Sequence, residues 1–182
     1  MPPLSVVLTY REYAAIPADG RRYEIHEGEL SVTPAPTPRH QRIARALFQA
    51  IHQHVSSRAL GEVFFAPLDV ILSETSVVQP DLVYLDRSRL AAVSDRGVEG
   101  PPTLVVGILS PSTVLIDRST KHQLYARHGV PFYWVVDPEA RAVEAFTLGP
   151  GGYSLAARGL GLDPIGPPPF PDLGLIPASL WP

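Results

Sequence analysis

The spacing of apolar residues changes several times along this chain, and each change marks an element. Ile43, Leu47, Ile51 and Val55 recur every four residues, with Ala44, Ala46 and Ala50 beside them. That stripe predicts a long helix over residues 40–58. Upstream, residues 9–16 read as a short helix, with Thr9 as its cap and Glu12 at the capping-box position. Residues 22–32 read as a β-hairpin turning near Glu27-Gly28, and Pro34, Pro36 and Pro38 then break the chain. From residue 62 the period falls to two. Residues 62–66, 68–72 and 81–85 alternate as strands do, and the apolar run 103–109 after Pro101-Pro102 suits a central strand. Residues 132–136 form another buried strand, ended by Asp137-Pro138, and 143–148 with 153–157 form a last hairpin through the glycines at 149–152. Between these lies a short helix over 117–128, capped by Asp117 and stopped by Gly129 and Pro131. The stretch from about 163 to 182 is proline-rich and irregular. With no repeat and no linker, the expectation is a single domain over 1–182 of the α+β class, with a mixed sheet.

Composition narrows the chemistry. A formal net charge of −3 and a pI near 6.0 leave no general basic field, so any contact with nucleic acid must be a local patch. There is no cysteine, which excludes disulfides, thiolate metal sites and a cysteine nucleophile. No signal-peptide pattern opens the chain and no apolar run approaches a membrane span, so a cytoplasmic location is expected. The chain has no asparagine and 21 prolines, a composition that suits a thermophile or a GC-rich genome.

Lys121 is the only lysine, against fourteen arginines. It shares a helical stripe with Leu124, Tyr125 and His128, the stripe expected to face inward, where an ammonium needs a partner. A lysine at a core edge with its head in water would have the same pattern. The helix follows strand 103–109 after a short loop, so Lys121 can lie over residues 107–109. Asp81 opens the preceding strand. If the two strands pair antiparallel, Asp81 and Lys121 converge. A carboxylate and an ammonium around a hard cation are the equipment of phosphodiester hydrolysis: the carboxylate holds the metal and the lysine offsets developing negative charge.

Several segments together resemble one family. Tyr23-Glu-Ile-His-Glu-Gly-Glu-Leu30, Pro38-Arg-His-Gln41, Val78-Gln-Pro-Asp-Leu82, Val105-Val-Gly-Ile-Leu-Ser-Pro-Ser-Thr113, Asp117 with Lys121 and Tyr125, and Gly129-Val-Pro-Phe-Tyr-Trp-Val-Val-Asp-Pro138 resemble, in order, signature segments of the Uma2 family. The resemblance spans about residues 8 to 180. It implies a restriction-endonuclease-like fold of the PD-(D/E)xK type, a central mixed β-sheet flanked by helices with a one- or two-metal site. It implies Mg²⁺ or Mn²⁺ as the cofactor and DNA as the partner, and a homodimer would suit cleavage of two strands. Carried over residue by residue, Asp81 matches the metal-binding aspartate and the carbonyl of Ile108 the main-chain metal ligand. Gly107 stands where the family has an acidic metal ligand. The usual lysine position falls at Leu109, and Lys121 is the lysine moved onto the next helix. Glu29 resembles the acidic residue from the N-terminal element.

The departure at Gly107 removes one carboxylate and one negative charge from the expected metal site. The chain is then an impaired or inactive member, or it recruits another acid from Glu29, Glu24 and Asp69, or the position is an engineered or sequencing change. The expected function is a Mg²⁺-dependent endodeoxyribonuclease with an incomplete site. The alternative is a catalytically inactive nuclease-fold binding or assembly module. Arg39, His40 and Arg42 open the long helix, where a solvated first turn or a phosphate contact are the two readings. Asp69 reads as a second acid or a strand-edge turn residue, and His122 is expected to be exposed.

Overall fold

The computed structural model describes residues 6–181. Two six-stranded mixed sheets form the frame, ordered β2-β1-β5-β4-β8-β7 and β12-β11-β10-β9-β6-β3. The first takes the N-terminal hairpin β1 (Arg22–His26) and β2 (Glu29–Thr33), together with β4 (Val70–Ser73), β5 (Ser76–Val78), β7 (Val93–Ser94) and β8 (Gly97–Glu99). The second takes β3 (Gly61–Phe65), β6 (Leu82–Asp86), β9 (Leu104–Ile108), β10 (Phe132–Asp137), β11 (Ala142–Gly149) and β12 (Gly152–Leu160). Helices α1 (Tyr10–Ala14), α2 (Pro38–Ser57) and α3 (His122–Arg127) complete the α+β architecture, joined by a 3-10 turn at Arg87–Ala92.

Local chemistry explains most of the element ends. Thr37 caps α2 by accepting from the His40 amide at 3.2 Å, and Pro38 occupies the first turn, where its missing N–H does no harm. The β1–β2 turn places Glu27 at φ 52° and Gly28 at φ 91°, the two positive values a tight hairpin turn requires. Thr9 and Glu12 form the expected capping box of α1.

The second sheet sorts its residues by parity. Leu104, Val106 and Ile108 of β9, with Leu82 and Tyr84 of β6, pack beneath the Ile43–Leu47–Ile51–Val55 stripe of α2. Val105, Leu109, Val83 and Leu85, with Tyr133 of the neighbouring β10, point to the opposite face, onto Leu124 and Tyr125. Gly107 and Asp81 share that second parity, so both belong to the face that looks at Lys121. β6 and β9 pair antiparallel with Leu82 opposite Val106, as the convergence argument requires. β9 and β10 are parallel, with Gly107 opposite Val135.

One expectation fails. The helix carrying Lys121 does not begin at an Asp117 cap. It is already helical at Val114 and runs as a π-helical segment over Ile116–Lys121 before tightening into α3. Asp117 sits inside it, buried, because its side chain faces Lys121 one turn on instead of the free amides of a helix end. Such π segments concentrate at functional sites. Among the described residues no helix is long and apolar enough to cross a membrane.

Candidate active site

β1, the loop before β6, β9 and the π-helical segment meet at one place. Asp81 stands just ahead of β6, tied in by its amide on the Val106 carbonyl at 3.1 Å. Its Oδ2 accepts the Ile108 amide at 2.7 Å, and its Oδ1 faces His40 Nε2 at 3.3 Å and Arg22 Nη1 at 3.6 Å. Burial pushes this carboxyl up, but His40, the Ile108 amide and Arg22 more than offset that and hold it below the usual aspartate range. His40 is thus half-buried against Asp81 and not part of a solvated helix start, because the Thr37 cap turns the first residues of α2 over the start of β6.

Lys121 is 9% exposed and does have the partner its burial demands. Its Nζ lies 2.9 and 3.0 Å from the two carboxylate oxygens of Glu24 and 3.5 Å from Asp117 Oδ1. Glu24, 2% exposed, also accepts the Gln79 amide at 2.7 Å and meets His26 Nε2 at 3.1 Å. Gln79 is held in turn by Asp69, which accepts its side-chain amide at 2.8 Å and the Tyr13 hydroxyl at 2.7 Å. Asp69 is therefore a support for the loop that carries Asp81.

Glu24, not Glu29, is the acid the N-terminal hairpin brings to the site. The resemblance pointed to Glu29, but that residue is exposed on β2 opposite His26. β2 is the outer strand and β1 lies between it and β5, so Glu29 is one strand too far out. The parity of the hairpin gave no reason to prefer either glutamate. The missed signal was Gln79 two residues before Asp81, whose amide needs an acceptor that β1 can reach.

Gly107 leaves an opening beside Asp81. A Cβ built there would lie 3.3 Å from the Tyr133 hydroxyl, which itself donates to the Asp117 carbonyl at 3.1 Å. A cavity of about 650 Å³ opens at this point, lined by Asp81, Gly107, Lys121, His40, Arg22 and Arg39 among others. His122 also departs from expectation: it is half-buried, edge-on to Phe146 and Tyr153, and burial pushes its imidazole below its ordinary value.

The side chains do not fit a resident metal ion as they stand. Both oxygens of Asp81 and both of Glu24 are engaged by hydrogen-bond donors or cations, and Gly107 offers no side-chain oxygen. For Ile108 the structure records an amide donating to Asp81, not a ligand set closed by its carbonyl. The buried Nε of Arg22 lacks a partner, but it is a donor and adds nothing toward a cation. Among the described residues no three His, Cys, Asp or Glu groups lie close enough to hold a metal.

A family model described as Uma2, putative restriction endonuclease, matches residues 10–178. The chain belongs to the Uma2 family. Among solved structures, the crystal structure of a putative nuclease belonging to DUF820 from Anabaena variabilis ATCC 29413 is similar, with a TM-score of 0.74 and 19% identity. The match covers 95% of this chain and 97% of that one, and it shows the fold. No curated protein matches the chain. For this Uma2 chain the expected fold is thus found, and Asp81 and Lys121 do face one cleft.

The Glu24–Lys121 pair predicts a pH signature. Burial raises the Glu24 carboxyl, yet Lys121, His26 and the Gln79 amide override it and bring it to about 2, from an ordinary 4.5. A depressed carboxyl stabilises the fold above its unfolded pKa, and that contribution disappears as pH falls through its folded one. Urea unfolding should therefore show native stability dropping between about pH 4.5 and pH 2 more steeply than in Glu24→Gln. Asp81 titrates in both proteins, so its contribution cancels and the difference reports the Glu24–Lys121–Asp117 cluster. Parallel profiles would refute the assignment.

Proposed function

We propose that this chain is a nuclease-fold protein that holds a DNA phosphodiester at the Asp81–Lys121 cleft, with divalent-cation-dependent hydrolysis impaired by Gly107. The observation that carries the reading is the shared face: Asp81, Gly107 and Lys121 line one cavity, in the strand context where the family has two acids and a lysine. Lys121 supplies a fixed positive charge in a water-poor wall, the kind of group that offsets charge on a phosphate. His40, Arg22 and Arg39 add donors at the mouth, where Arg22 also faces Asp81 and Arg39 pairs with Glu139. The position of Asp81 is set by the Ile108 amide, so its carboxylate is held in place before any substrate arrives.

A second reading, a module that binds DNA without cleaving it, is favoured by one observation: every carboxylate of the site is already paired within the protein. Both readings require DNA binding that weakens with salt. Fluorescence anisotropy with labelled oligonucleotides should show affinity falling linearly in log–log form between about 50 and 200 mM salt, as phosphate contacts release counterions. No binding at low salt would overturn both. Cleavage decides between them: measurable but slow turnover in Mn²⁺ supports the impaired enzyme, and none supports the module. Turnover of the native chain near 1 s⁻¹, ordinary for an enzyme, would overturn the impairment itself.

A further inference from the structure

A second cavity of about 530 Å³ runs along α2 and shares Arg22, Pro36, His40 and Asp81 with the cleft. Its floor is the flank of α2, where Ala44 and Phe48 lie beside the buried stripe. Its rim carries Gln41, Arg45 and Gln49, all exposed. Across from them stands Phe65, the last residue of β3, which leaves 63% of its surface in water. Phe48 meets Phe65 edge-on at 5.1 Å and stacks with His52 at 5.2 Å. An aromatic ring this exposed contributes little to the core, and most of its surface stays open to a partner.

We propose that this groove takes an unstacked nucleobase, so that the protein's substrate class is single-stranded or locally unpaired DNA. The inference rests on the phosphodiester reading of the cleft and deepens it. Three features select this occupant. The groove is continuous with the cleft through Arg22, His40 and Asp81, so a phosphate at one and its adjoining base at the other belong to one strand. The exposed ring of Phe65 offers a stacking platform of the kind single-strand binders use. Gln41, Gln49 and Arg45 at the rim carry the donors and acceptors that meet a base edge and the backbone beside it. A paired base inside a duplex cannot reach such a floor without leaving its stack.

The test compares a labelled single strand with a blunt, fully paired duplex of equal length by anisotropy. Phe65→Ala should weaken single-strand binding about 10-fold, the size of one lost base–aromatic stack, and leave duplex binding unchanged. Phe65→Trp should keep the affinity and show fluorescence quenched by the single strand but not by the duplex. Equal affinities of native chain and Phe65→Ala for the single strand, or an equal loss for both DNA forms, overturn the inference while the phosphodiester reading stands. No binding of either form by the native chain fails that earlier reading instead. A change of mass in sedimentation on Phe65→Ala, without a change in DNA affinity, would assign the groove to a second copy of the chain and overturn it as well.

Discussion

Gly107→Glu is expected to raise Mn²⁺ affinity by at least about 10- to 100-fold over the native chain, the change seen when even a supporting partner of a metal ligand is altered. The backbone does not stand in the way. Gly107 does not adopt a left-handed φ, and replacing a strand glycine recovers roughly 0.5–1 kcal/mol of conformational entropy. The introduced Cβ meets the Tyr133 hydroxyl at 3.3 Å, so the ring must yield by a few tenths of an ångström at the expense of its bond to Asp117. Parity directs the new side chain to the face of Asp81 and Lys121. Two carboxylates facing one opening repel and each raises the other's pKa, so the metal-free variant should be destabilised as pH rises. A divalent cation relieves that repulsion and stabilises the folded state by mass action. Titration calorimetry reads the affinity directly. Thermal unfolding should show Mn²⁺ raising the midpoint of the variant and not of the native chain. Plasmid nicking should then appear in the variant. A variant that binds no more Mn²⁺ than the native protein, and nicks no DNA, sinks the nuclease reading of this cleft.

Lys121→Met should lower stability by about 3–5 kcal/mol, the range for removing one member of a buried pair. For a chain of this length that corresponds to a fall of roughly 10 °C in the unfolding midpoint. The loss comes from what remains. Glu24 stays 2% exposed, with only His26 and the Gln79 amide to stabilise its charge. Asp117, whose carboxyl burial already pushes up, loses the ammonium that opposes the shift and is pushed up further. Glu24→Gln is expected to be destabilising as well, since Lys121 keeps only the longer contact to Asp117. The double variant Glu24→Gln/Lys121→Met should be more stable than the sum of the single losses allows, because no uncompensated charge is left behind. Urea unfolding of the four proteins measures this coupling. Strictly additive losses would mean that the pair does not hold Lys121 in place. The result also bears on activity: a Lys121 variant that fails to act on DNA informs about chemistry only after its folding has been checked.

The same residues show how far the sequence could be read. The four-residue stripe of α2 predicted its buried face because a 3.6-residue period leaves few other choices, and α2 does pack with Ile43, Leu47, Ile51 and Val55 inward. The strands at 104–108 and 132–137 were visible as apolar runs, since strands covered on both faces have no polar alternation to blur them. The short strands β5, β7 and β8 were not, because two or three residues carry no period. The first sheet was therefore invisible as a unit, though its hairpin was legible from the Glu27-Gly28 turn. At the site, the convergence of Asp81 and Lys121 was legible only on the condition that the two strands pair antiparallel, which they do, while the helix start was not legible. Asp117 looks like a cap by sequence, and only a helix already running from Val114 places it inside the helix, one turn before Lys121.

By itself, the sequence determined that this chain is an α+β protein of the Uma2 family, with Asp81 and a lone lysine bracketing a glycine where an acid is expected. Those facts depend on residue identity and on periods of two and 3.6, both local properties of the chain. The tertiary structure alone decided which acid pairs with Lys121. Glu24 and Glu29 sit on one hairpin five residues apart, and the choice depends on which strand lies inside the sheet. It likewise decided that His40 leans on Asp81, and that Phe65 stands exposed beside the cleft. Contacts between residues tens of positions apart depend on strand order and helix docking, and no local pattern encodes them.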